Sequence, residues 1–503
     1  MANLITIISP QSWPTSIYVV IALALALAFG GMATRPALPK TAPQLHRGLP
    51  LLGSLEFFLS RSTFLRTEKP QTKSGNFSFH YGPHTVVSLL GPGGKATFYG
   101  ERGLDPTEGY KGLSNAGPNV KFLHSENSLV TFFLASVKRA TQKDRLEASL
   151  PFLISDTHAA LMDMSSAPHG ILRPIDDMWQ LIYRLTHRTL GSKDIADDPI
   201  ALERTMAMYS SIEGSSAFEI MFPSLPTPTK VRKVWAGAQL HRTFSRIVED
   251  RKKTGRREDD SMQVLIDQGA SDMKISAFIM GSLFSGVLNT GVNASLILCF
   301  LAQERRWYAR TQEQVDAVVT KNRLRDDERP VEVFRRLTLD DWETAFPLID
   351  LALRETIRLK TTGCSMRKNL SGKDIPVGDT GEVIPKDAYA VYQLDHTHMD
   401  ENLYKDPLKW DPARYLPDRA EDKKTQHGYL GWGSGLHQCL GMKLAKLEIT
   451  VTTAMFMAQF DFRLSDKSGH PIGKLPPIDR NNLGAMKPKE AVYFKCTPRV
   501  KDF

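Results

Sequence analysis

The sequence has few cysteines and no pattern that would pair them. Its 503 residues contain four, at positions 299, 364, 439 and 496, and none belongs to a C-x-x-C pair. This spacing argues against a zinc site and against a disulfide framework. An isolated cysteine is most often a small buried hydrophobic residue, so a chemical role for any of these thiols must be inferred from its neighbours.

Internal repeats, low-complexity tracts and long flexible linkers are also missing, which favours one large domain over several small ones. Hydrophobic residues make up 42% of the chain, a fraction that excludes intrinsic disorder. Lysine and arginine total 64 against 55 acidic residues, but they are dispersed and not interleaved with aromatics, so we expect no nucleic-acid partner. The net charge of +9 suits a protein that faces anionic lipid and an acidic protein partner.

The N-terminal segment lacks charge over a long stretch. Residues 16–34 carry none, and Ile17–Ala33 is almost wholly aliphatic, about the length that spans a thin bilayer as a helix. Basic residues follow the stretch and none precedes it, which predicts a cytosolic location for the rest of the chain. A cleaved signal peptide is the alternative, but it would have a basic start and a shorter apolar core. We therefore predict a membrane anchor over residues 1–34.

Prolines are concentrated immediately after the predicted anchor. Residues 35–54 contain Pro36, Pro39, Pro43 and Pro50 and end in the run Gly48–Ser54. Because proline fixes the backbone in an extended conformation, this segment is predicted to be a stiff hinge. Residues 55–503 would then form a single large domain.

Hydrophobic periodicity predicts a mainly α protein with small β-sheets (an α+β fold). Apolar residues recur at helical spacing in five long segments, which are Lys138–Met164, Ile171–Leu190, Lys230–Lys253, Ser271–Arg305 and Thr338–Leu359. Short β-rich segments are Thr85–Leu90, Ala388–Leu394 and Ala491–Lys495. The stretch Glu249–Asp260, which contains both acidic and basic residues, is predicted to be a solvated loop between helices.

Cys439 lies in the glycine-rich run Gly431–Gly441, directly before an amphipathic segment, Met442–Phe456. A thiolate at a helix N-terminus is stabilised by the helix dipole and by unpaired backbone N–H groups. Glycines allow the main chain to approach a flat cofactor without Cβ clashes. This pattern is typical of a metal-ligand loop.

The run resembles the haem-ligand loop of the cytochrome P450 superfamily, F-x-x-G-x-(R/H)-x-C-x-G. Trp432 stands at the aromatic position, followed by Gly435, His437, Cys439 and Gly441. Only the aromatic residue departs from the pattern, and the change is conservative.

Two further motifs precede the loop in the family's order. Glu355-Thr-Ile-Arg358 is similar to the family's E-x-x-R, and Trp410–Tyr415 is similar to its P-x-R-(F/Y) segment. By residue type alone, Glu355 and Arg358 would be a solvated pair. The resemblance, which covers essentially the whole chain, implies instead that Glu355, Arg358 and Arg414 form a buried charge triad that holds the haem loop.

The resemblance implies the cytochrome P450 fold, with one large helical haem domain behind a transmembrane helix. It implies haem b with Cys439 as axial thiolate, a ligand that favours O–O bond cleavage. It also implies that His437 and Arg367 bind the haem propionates, although either could be a surface cation. The proline-rich segment resembles the hinge of microsomal members, so we expect a single-pass protein of the endoplasmic reticulum membrane that receives electrons from NADPH through a separate reductase.

The centre of the Ser271–Arg305 helix departs from the family, which has (A/G)-G-x-(D/E)-T there. Leu288 stands at the acid and Asn289 at the threonine, and Thr290 restores the threonine only if the alignment slides by one residue. In the register without that slide, these residues and Trp432 resemble the branch that includes sterol hydroxylases and prostacyclin synthase. Asn289 would then act in catalysis, unless its amide merely bonds a backbone carbonyl in a bent helix.

Relatives line their substrate pockets with positions that are mostly apolar or small in this chain, namely Leu283, Val287, Leu288, Thr290 and the segments 361–365 and 483–486. A hydrophobic substrate is therefore expected, such as a sterol, terpenoid, polyketide or other specialised metabolite. A fatty-acid substrate would require a cation at the pocket entrance, and the motifs identify none.

Three functions remain open from the sequence. The first is a monooxygenase that uses O₂, NADPH and a reductase. The second is an isomerase or dehydrase that acts on an oxygenated lipid without a reductase. The third, a haem or lipid carrier, is disfavoured because a carrier has no need of a thiolate ligand.

Overall fold

A computed structural model describes residues 15, 18, 35, 37–50, 52–67, 73–114, 126–212, 218–219, 227–361, 363–481 and 487–500. Apart from Thr15 and Tyr18, the predicted anchor lies outside these residues, as does the predicted pocket segment 483–486. Within the described part of the chain, the helical stretch Asp272–Gln303 is long and apolar enough to cross a membrane, but 72% of its most hydrophobic portion is buried inside the protein. A buried stretch of this kind is typical of a core helix.

The described residues form helices and short strands in the following order. The helices are α1 (Glu56–Leu59), α2 (Arg61–Thr67), α3 (Gly91–Gly100), α4 (Pro106–Ser114), α5 (Glu126–Ala140), α6 (Lys143–Ser165), α7 (Pro174–Leu190), α8 (Lys193–Asp197), α9 (Pro199–Ile212), α10 (Pro228–Thr254), α11 (Ser261–Asp267), α12 (Asp272–Gly286), α13 (Val292–Gln303), α14 (Arg305–Asn322), α15 (Pro330–Arg336), α16 (Leu339–Thr344), α17 (Pro347–Lys360), α18 (Asp395–His398) and α19 (Met442–Gln459). The strands are β1 (Phe77–Tyr81), β2 (His84–Leu89), β3 (Leu104–Asp105), β4 (Ile171–Leu172), β5 (Cys364–Asn369), β6 (Ile375–Pro376), β7 (Val383–Ile384), β8 (Tyr389–Gln393), β9 (Gly433–Ser434), β10 (His437–Gln438), β11 (Phe460–Ser465) and β12 (Tyr493–Pro498).

The chain divides into two compact units, of which the smaller contains the described residues within 1–115, 216–225 and 364–393. Its main sheet has the order β1-β2-β8-β5-β3, in which β2 and β8 run parallel and the other pairs are antiparallel. Phe57 of α1 and Phe64 of α2 pack on Phe79 of β1. Part of the predicted hinge also lies on this sheet, because the Ser54 N–H donates to the His80 carbonyl oxygen at 2.8 Å.

The larger unit comprises the remaining described residues and holds most of the helices. At its centre, every residue of α13 from Val292 to Ala302 is buried, and this helix contacts α7, α17 and α19. Helix α19 is similarly enclosed, since every residue from Leu447 to Gln459 is buried. A sheet with the order β11-β12-β4 and the two-stranded hairpin β9-β10 complete this unit.

The predicted helical segments are confirmed in their interiors and wrong at several boundaries. Lys138–Met164 is two helices, because Gln142 is extended between α5 and α6. Ile171 and Leu172 are not helical but pair with β12, and the helix begins at Pro174. Thr338–Leu359 is also interrupted: Pro347 disfavours a helical conformation in the preceding residue, and Phe346 has φ −118° and ψ 50°.

The predicted solvated loop Glu249–Asp260 is wrong in one respect. Helix α10 continues to Thr254, and Arg251 and Asp260 are each only 1% exposed. Arg251 Nη2 donates to Asp260 Oδ2 at 2.5 Å and also bonds Asp194. Charge alternation predicted a solvated face, whereas opposite charges from three elements pair inside the protein. By contrast, the predicted strands Thr85–Leu90, Ala388–Leu394 and Ala491–Lys495 overlap β2, β8 and β12.

Candidate functional site

The Cys439 loop, residues 431–441, is a small hairpin that presents its thiol. Strand β9 pairs with β10 in an antiparallel register, His437 opposite Ser434 and Gln438 opposite Gly433. Gly433 (φ 71°) and Gly435 (φ 62°) adopt left-handed conformations that other residues rarely occupy. The Cys439 N–H donates to the Trp432 carbonyl oxygen at 2.8 Å, which closes the loop around the hairpin.

The surroundings of the Cys439 thiol distinguish it from the other cysteines. Cys439 is exposed, whereas Cys299, Cys364 and Cys496 are buried. The neighbouring chain partly desolvates the thiol and raises its pKa, while the Gly441 N–H donates a hydrogen bond that acts in the opposite direction. Metal coordination overrides this balance, because a bound metal deprotonates a coordinating thiol.

The loop has the shape and polarity that a flat apolar group requires. Leu436 and Leu440, on either side of the thiol, are exposed large hydrophobic residues. A Cβ atom added to Gly441 would meet no atom within 4 Å among the described residues other than its chain neighbours, so the backbone there leaves room for a ligand to approach closely. His437 is exposed on β10, on the same hairpin. These features fit haem, with apolar contacts near the sulfur.

Arg367, on β5 of the smaller unit, fits a carboxylate group. The residue is buried, and its Nη1 atom has no hydrogen-bond partner among the described residues. The guanidinium instead lies over the Phe98 ring, 4.7 Å from its centroid. Desolvation lowers the pKa of Arg367, and the tyrosines Tyr99 and Tyr110 act in the opposite direction. A buried guanidinium that faces aromatic rings retains donors for an anionic ligand such as a propionate.

The structure brings Glu355, Arg358 and Arg414 together, and each is at most 1% exposed. Glu355 accepts two hydrogen bonds of 2.8 Å from Arg358 and one of 3.1 Å from Arg414 Nε. Burial by itself would lower the pKa of Arg358, but its hydrogen bonds and ion pair with Glu355 raise it overall. The three charges are therefore paired in the geometry that makes a buried ion cluster stable.

The cluster is larger than the sequence predicted. Arg414 also pairs with Glu421 at 2.9 Å, and Arg419 joins Glu421 and Asp411 at 2.6 Å each. The hydroxyl group of Tyr415 donates to Glu355 at 3.1 Å. Glu421 and Arg419 lie outside the recognised motifs, and their only sequence signal is that each is a charged residue close to Arg414 in the chain.

A short chain of contacts connects this cluster to the Cys439 loop. Arg358 Nη1 donates to the His398 carbonyl oxygen at 2.5 Å, and the His398 Nε2 atom accepts the Leu430 N–H at 3.0 Å. Leu430 immediately precedes the loop. Gly431 packs so closely on α17 that an added Cβ would lie 2.4 Å from Ile357 Cγ2. Helix α17 thus positions the start of the loop directly.

Comparisons with known proteins identify this arrangement. The family profile described as Cytochrome P450 matches residues 184–494. Cytochrome P450 monooxygenase AacuE of Aspergillus aculeatus is 30% identical over 476 residues, which cover 92% of this chain and 94% of the relative. The chain belongs to the cytochrome P450 family. It is therefore a haem-thiolate oxidoreductase, in agreement with the resemblance found in the sequence.

More distant relatives agree with this P450 identity. Cytochrome P450 monooxygenase nsrP of Aspergillus novofumigatus is 28% identical, with 95% of this chain and 94% of the relative covered. Sterol 14-demethylase of Arabidopsis thaliana is 22% identical, with 93% and 94% covered. The solved structure of a cyanobacterial protein, retinoic acid bound CYP120A1, superposes with a TM-score of 0.71 at 20% identity and covers 92% of this chain and 100% of its own. The P450 fold predicted from the sequence is confirmed.

The long central helix of this P450 changes its winding at the predicted catalytic positions. Between α12 and α13, Val287–Gly291 form a π-helical turn that packs against α7 and α19. Such turns are rare and are frequently found at functional sites. The side-chain amide of Asn289 donates to the Ser285 carbonyl oxygen at 3.1 Å. This is the backbone hydrogen bond that a non-catalytic role for Asn289 predicts.

Exposure along this helix separates the predicted site residues. Phe284, Ser285 and Asn289 are exposed and Leu288 is half-buried, so they share one open face. Thr290, in contrast, is buried and does not belong to this face.

The expected pocket residues need a related correction. Leu283 and Val287 are buried among other side chains and do not belong to the open face. Phe284, which the sequence analysis did not select, is 37% exposed there. Its only signal in the sequence is its position four residues before Leu288.

Proposed function

We propose that this P450 is a monooxygenase in which Cys439 is the axial haem ligand and that it inserts oxygen from O₂ into a hydrophobic small molecule. The observation that carries the proposal is the exposed Cys439 thiol between two exposed leucines, on a loop held by the buried cluster of α17. When bound, haem supplies O₂ activation, and its thiolate ligand favours cleavage of the O–O bond. His437 and Arg367 would bind the propionates.

The residues of the loop keep the sulfur in position. The hydrogen bond from the Cys439 N–H to Trp432 and the bond from the Gly441 N–H to the sulfur fix the thiol relative to α19. Hydrogen bonds to a ligand thiolate tune the electron density on the sulfur. Glu355, Arg358 and Arg414 would act as positioning residues, because they hold the backbone before the loop without contacting the ligand.

On the open face of the central helix, Phe284 and Leu288 favour an apolar substrate, and Asn289 is the polar side chain at the predicted catalytic position. An amide in this place can hold a water molecule and so pass a proton to the reacting oxygen. For this role, the Asn289 amide must either break its hydrogen bond to the Ser285 carbonyl oxygen or use its second N–H, since a side-chain amide carries two N–H donors. Leu288 excludes water from the neighbouring position.

The substrate class is proposed to be a sterol, terpenoid, polyketide or similar specialised metabolite. A sterol 14-demethylase is among the relatives by name, and the two Aspergillus relatives are named as monooxygenases. Both facts agree with the apolar open face. We further propose that residues 1–34 anchor the protein in the endoplasmic reticulum membrane and that an NADPH-dependent reductase supplies the electrons, which fits the basic net charge.

An isomerase or dehydrase is the second candidate, and a specific observation favours it. The helix lacks the acid–hydroxyl pair that usually relays protons in this family, and Asn289 could instead position the oxygen of an oxygenated substrate. This reaction needs neither NADPH nor a reductase.

Two measurements test these proposals. Cys439→Ala should lose the far-red-shifted Soret band that ferrous haem-thiolate proteins show with carbon monoxide, and a retained band would refute Cys439 as the ligand. Product formation is then measured under two conditions. The first contains the reductase and NADPH, and the second contains a peroxide substrate without either of them. Full turnover without reductase or NADPH would favour the isomerase over the monooxygenase.

A further inference from the structure

Lys360, the last residue of α17, is a buried cation that has no partner among the residues the structure describes. It is only 6% exposed, and its ammonium group forms no hydrogen bond or ion pair among the described residues. Other basic residues near this end of α17 differ in this respect. Arg358 pairs with Glu355, and Arg480 pairs with Asp395 at 3.3 Å.

Lys360 lies on the same helix face as residues that pack near the Cys439 loop. Side chains in an α-helix lean toward the N-terminus and lie over the residues three and four positions earlier. For Lys360 these are Ile357, which packs against Gly431 of the loop, and Thr356, whose hydroxyl accepts the Trp410 indole N–H at 3.1 Å. Lys360 therefore shares a face of α17 with Ile357, the residue that contacts the start of the loop.

Among the described residues, no neighbouring group compensates the positive charge of Lys360. A lysine in the last turn of a helix can stabilise the exposed carbonyls, but the Leu359 carbonyl accepts a hydrogen bond from Arg480, and Lys360 donates to none. Burial lowers the pKa of Lys360 to about 8, so most of the group still carries a proton at neutral pH. An unpaired buried ammonium is costly and normally has a partner.

We propose that Lys360 binds the carboxylate of a ligand that lies near the C-terminal end of α17. The inference rests on the proposed function, since that function places a carboxylate-bearing ligand at the Cys439 loop. Two sources share this chemistry. One is a haem propionate, in addition to the predicted partners His437 and Arg367, and the other is the carboxylate of an acidic substrate. The motifs identified no cation for an acidic substrate, and Lys360 would supply one.

The test compares wild type with Lys360→Met, which keeps the length and removes the charge, and with Lys360→Arg, which keeps the charge. Lys467→Met, at an exposed lysine of the same unit, is the matched control. The carbon monoxide spectrum is recorded first for every protein. If wild type lacked the haem-thiolate band, the proposed function would be refuted, and not the role of Lys360. Two properties of the holoprotein are then measured: the rate of haem transfer to apomyoglobin, and spectral titrations with dodecanoate and methyl dodecanoate.

A propionate contact predicts that Lys360→Met loses haem about tenfold faster or more, while the titrations remain as in wild type. A substrate contact predicts normal haem retention and the loss of an about tenfold preference for dodecanoate over its ester. In either case Lys360→Arg should resemble wild type. Unchanged haem transfer together with unchanged titrations in Lys360→Met would overturn the proposal. A Lys360→Met chain that fails to fold would also overturn it, because the amine would then have a partner within the protein.

Discussion

Replacing Glu355 by glutamine tests the buried charge cluster most directly. The carboxylate accepts hydrogen bonds from Arg358, from Arg414, from the Asp411 backbone N–H at 3.0 Å and from Tyr415 at 3.1 Å. Glutamine has nearly the same shape, but it is neutral and turns an N–H₂ group toward donors. The variant therefore removes the charge with little change in packing volume.

The expected loss follows from the burial of the partners. Arg358 and Arg414 are 0% and 1% exposed, so water cannot replace the missing carboxylate. Removing one member of a buried ion pair costs about 3–5 kcal/mol, a large part of the stability of a typical domain. Because Arg358 also holds the His398 carbonyl oxygen, the Cys439 loop should lose its support. We expect a lower denaturation midpoint and little haem incorporation.

The assay combines urea denaturation with the amount of carbon monoxide-binding haem per milligram of protein. The matched control is Glu249→Gln, which removes an exposed ion pair to Lys253 whose side chains are 61% and 72% exposed. This control should leave the denaturation midpoint close to that of wild type, because exposed ion pairs contribute little to stability. Arg358→Lys should fail like Glu355→Gln, because an ammonium group cannot reproduce the guanidinium fork. A Glu355→Gln protein with the denaturation midpoint and haem content of wild type would refute the reasoning.

Three further predictions follow from other parts of the chain. Burial raises the pKa of Glu448 to about 8 from its ordinary 4.5, with the Thr189 hydroxyl acting in the opposite direction, so the folded state holds a proton that the unfolded state releases and stability should fall as pH rises between these values. Glu448→Gln should flatten that dependence and raise stability at pH 8 by about 4 kcal/mol, as urea titrations at several pH values would reveal. Asn289→Ala should raise peroxide release per NADPH oxidised and lower product, whereas unchanged coupling would exclude a role for the amide in proton delivery. Deleting Met1–Arg35 should move the protein from membrane to soluble fractions with its haem spectrum intact, and persistent tight membrane binding would mean that another surface anchors it.

Several features of this protein could be predicted from local sequence because their cause is local. Glycines and a following helix are adjacent to Cys439 in the chain, so the presentation of the thiol could be inferred without tertiary information. Glu355 and Arg358 lie one helical turn apart, which makes their pairing a consequence of helix geometry. Helix interiors were predicted well for the same reason, whereas boundaries such as Phe346 depended on the conformation next to a proline.

Other features depended on residues that only the fold brings together. Arg414 reaches Glu355 across 59 positions of sequence, and the motifs suggested that pairing only through the family resemblance. The burial of Arg251 and Asp260 contradicted a sound inference from charge alternation, because burial depends on which elements cover a segment. Lys360 is the clearest case: its sequence neighbours indicate an ordinary helix-terminal lysine, and only the packing of α17 shows that it is buried and has no partner within the described part of the chain. The sequence by itself determined the family, the fold and the candidate thiol, since these are carried by residue types at short, regular spacings. The tertiary structure decided which charges are buried and which of them have partners, because the free energy of a charge depends on all the surfaces that surround it.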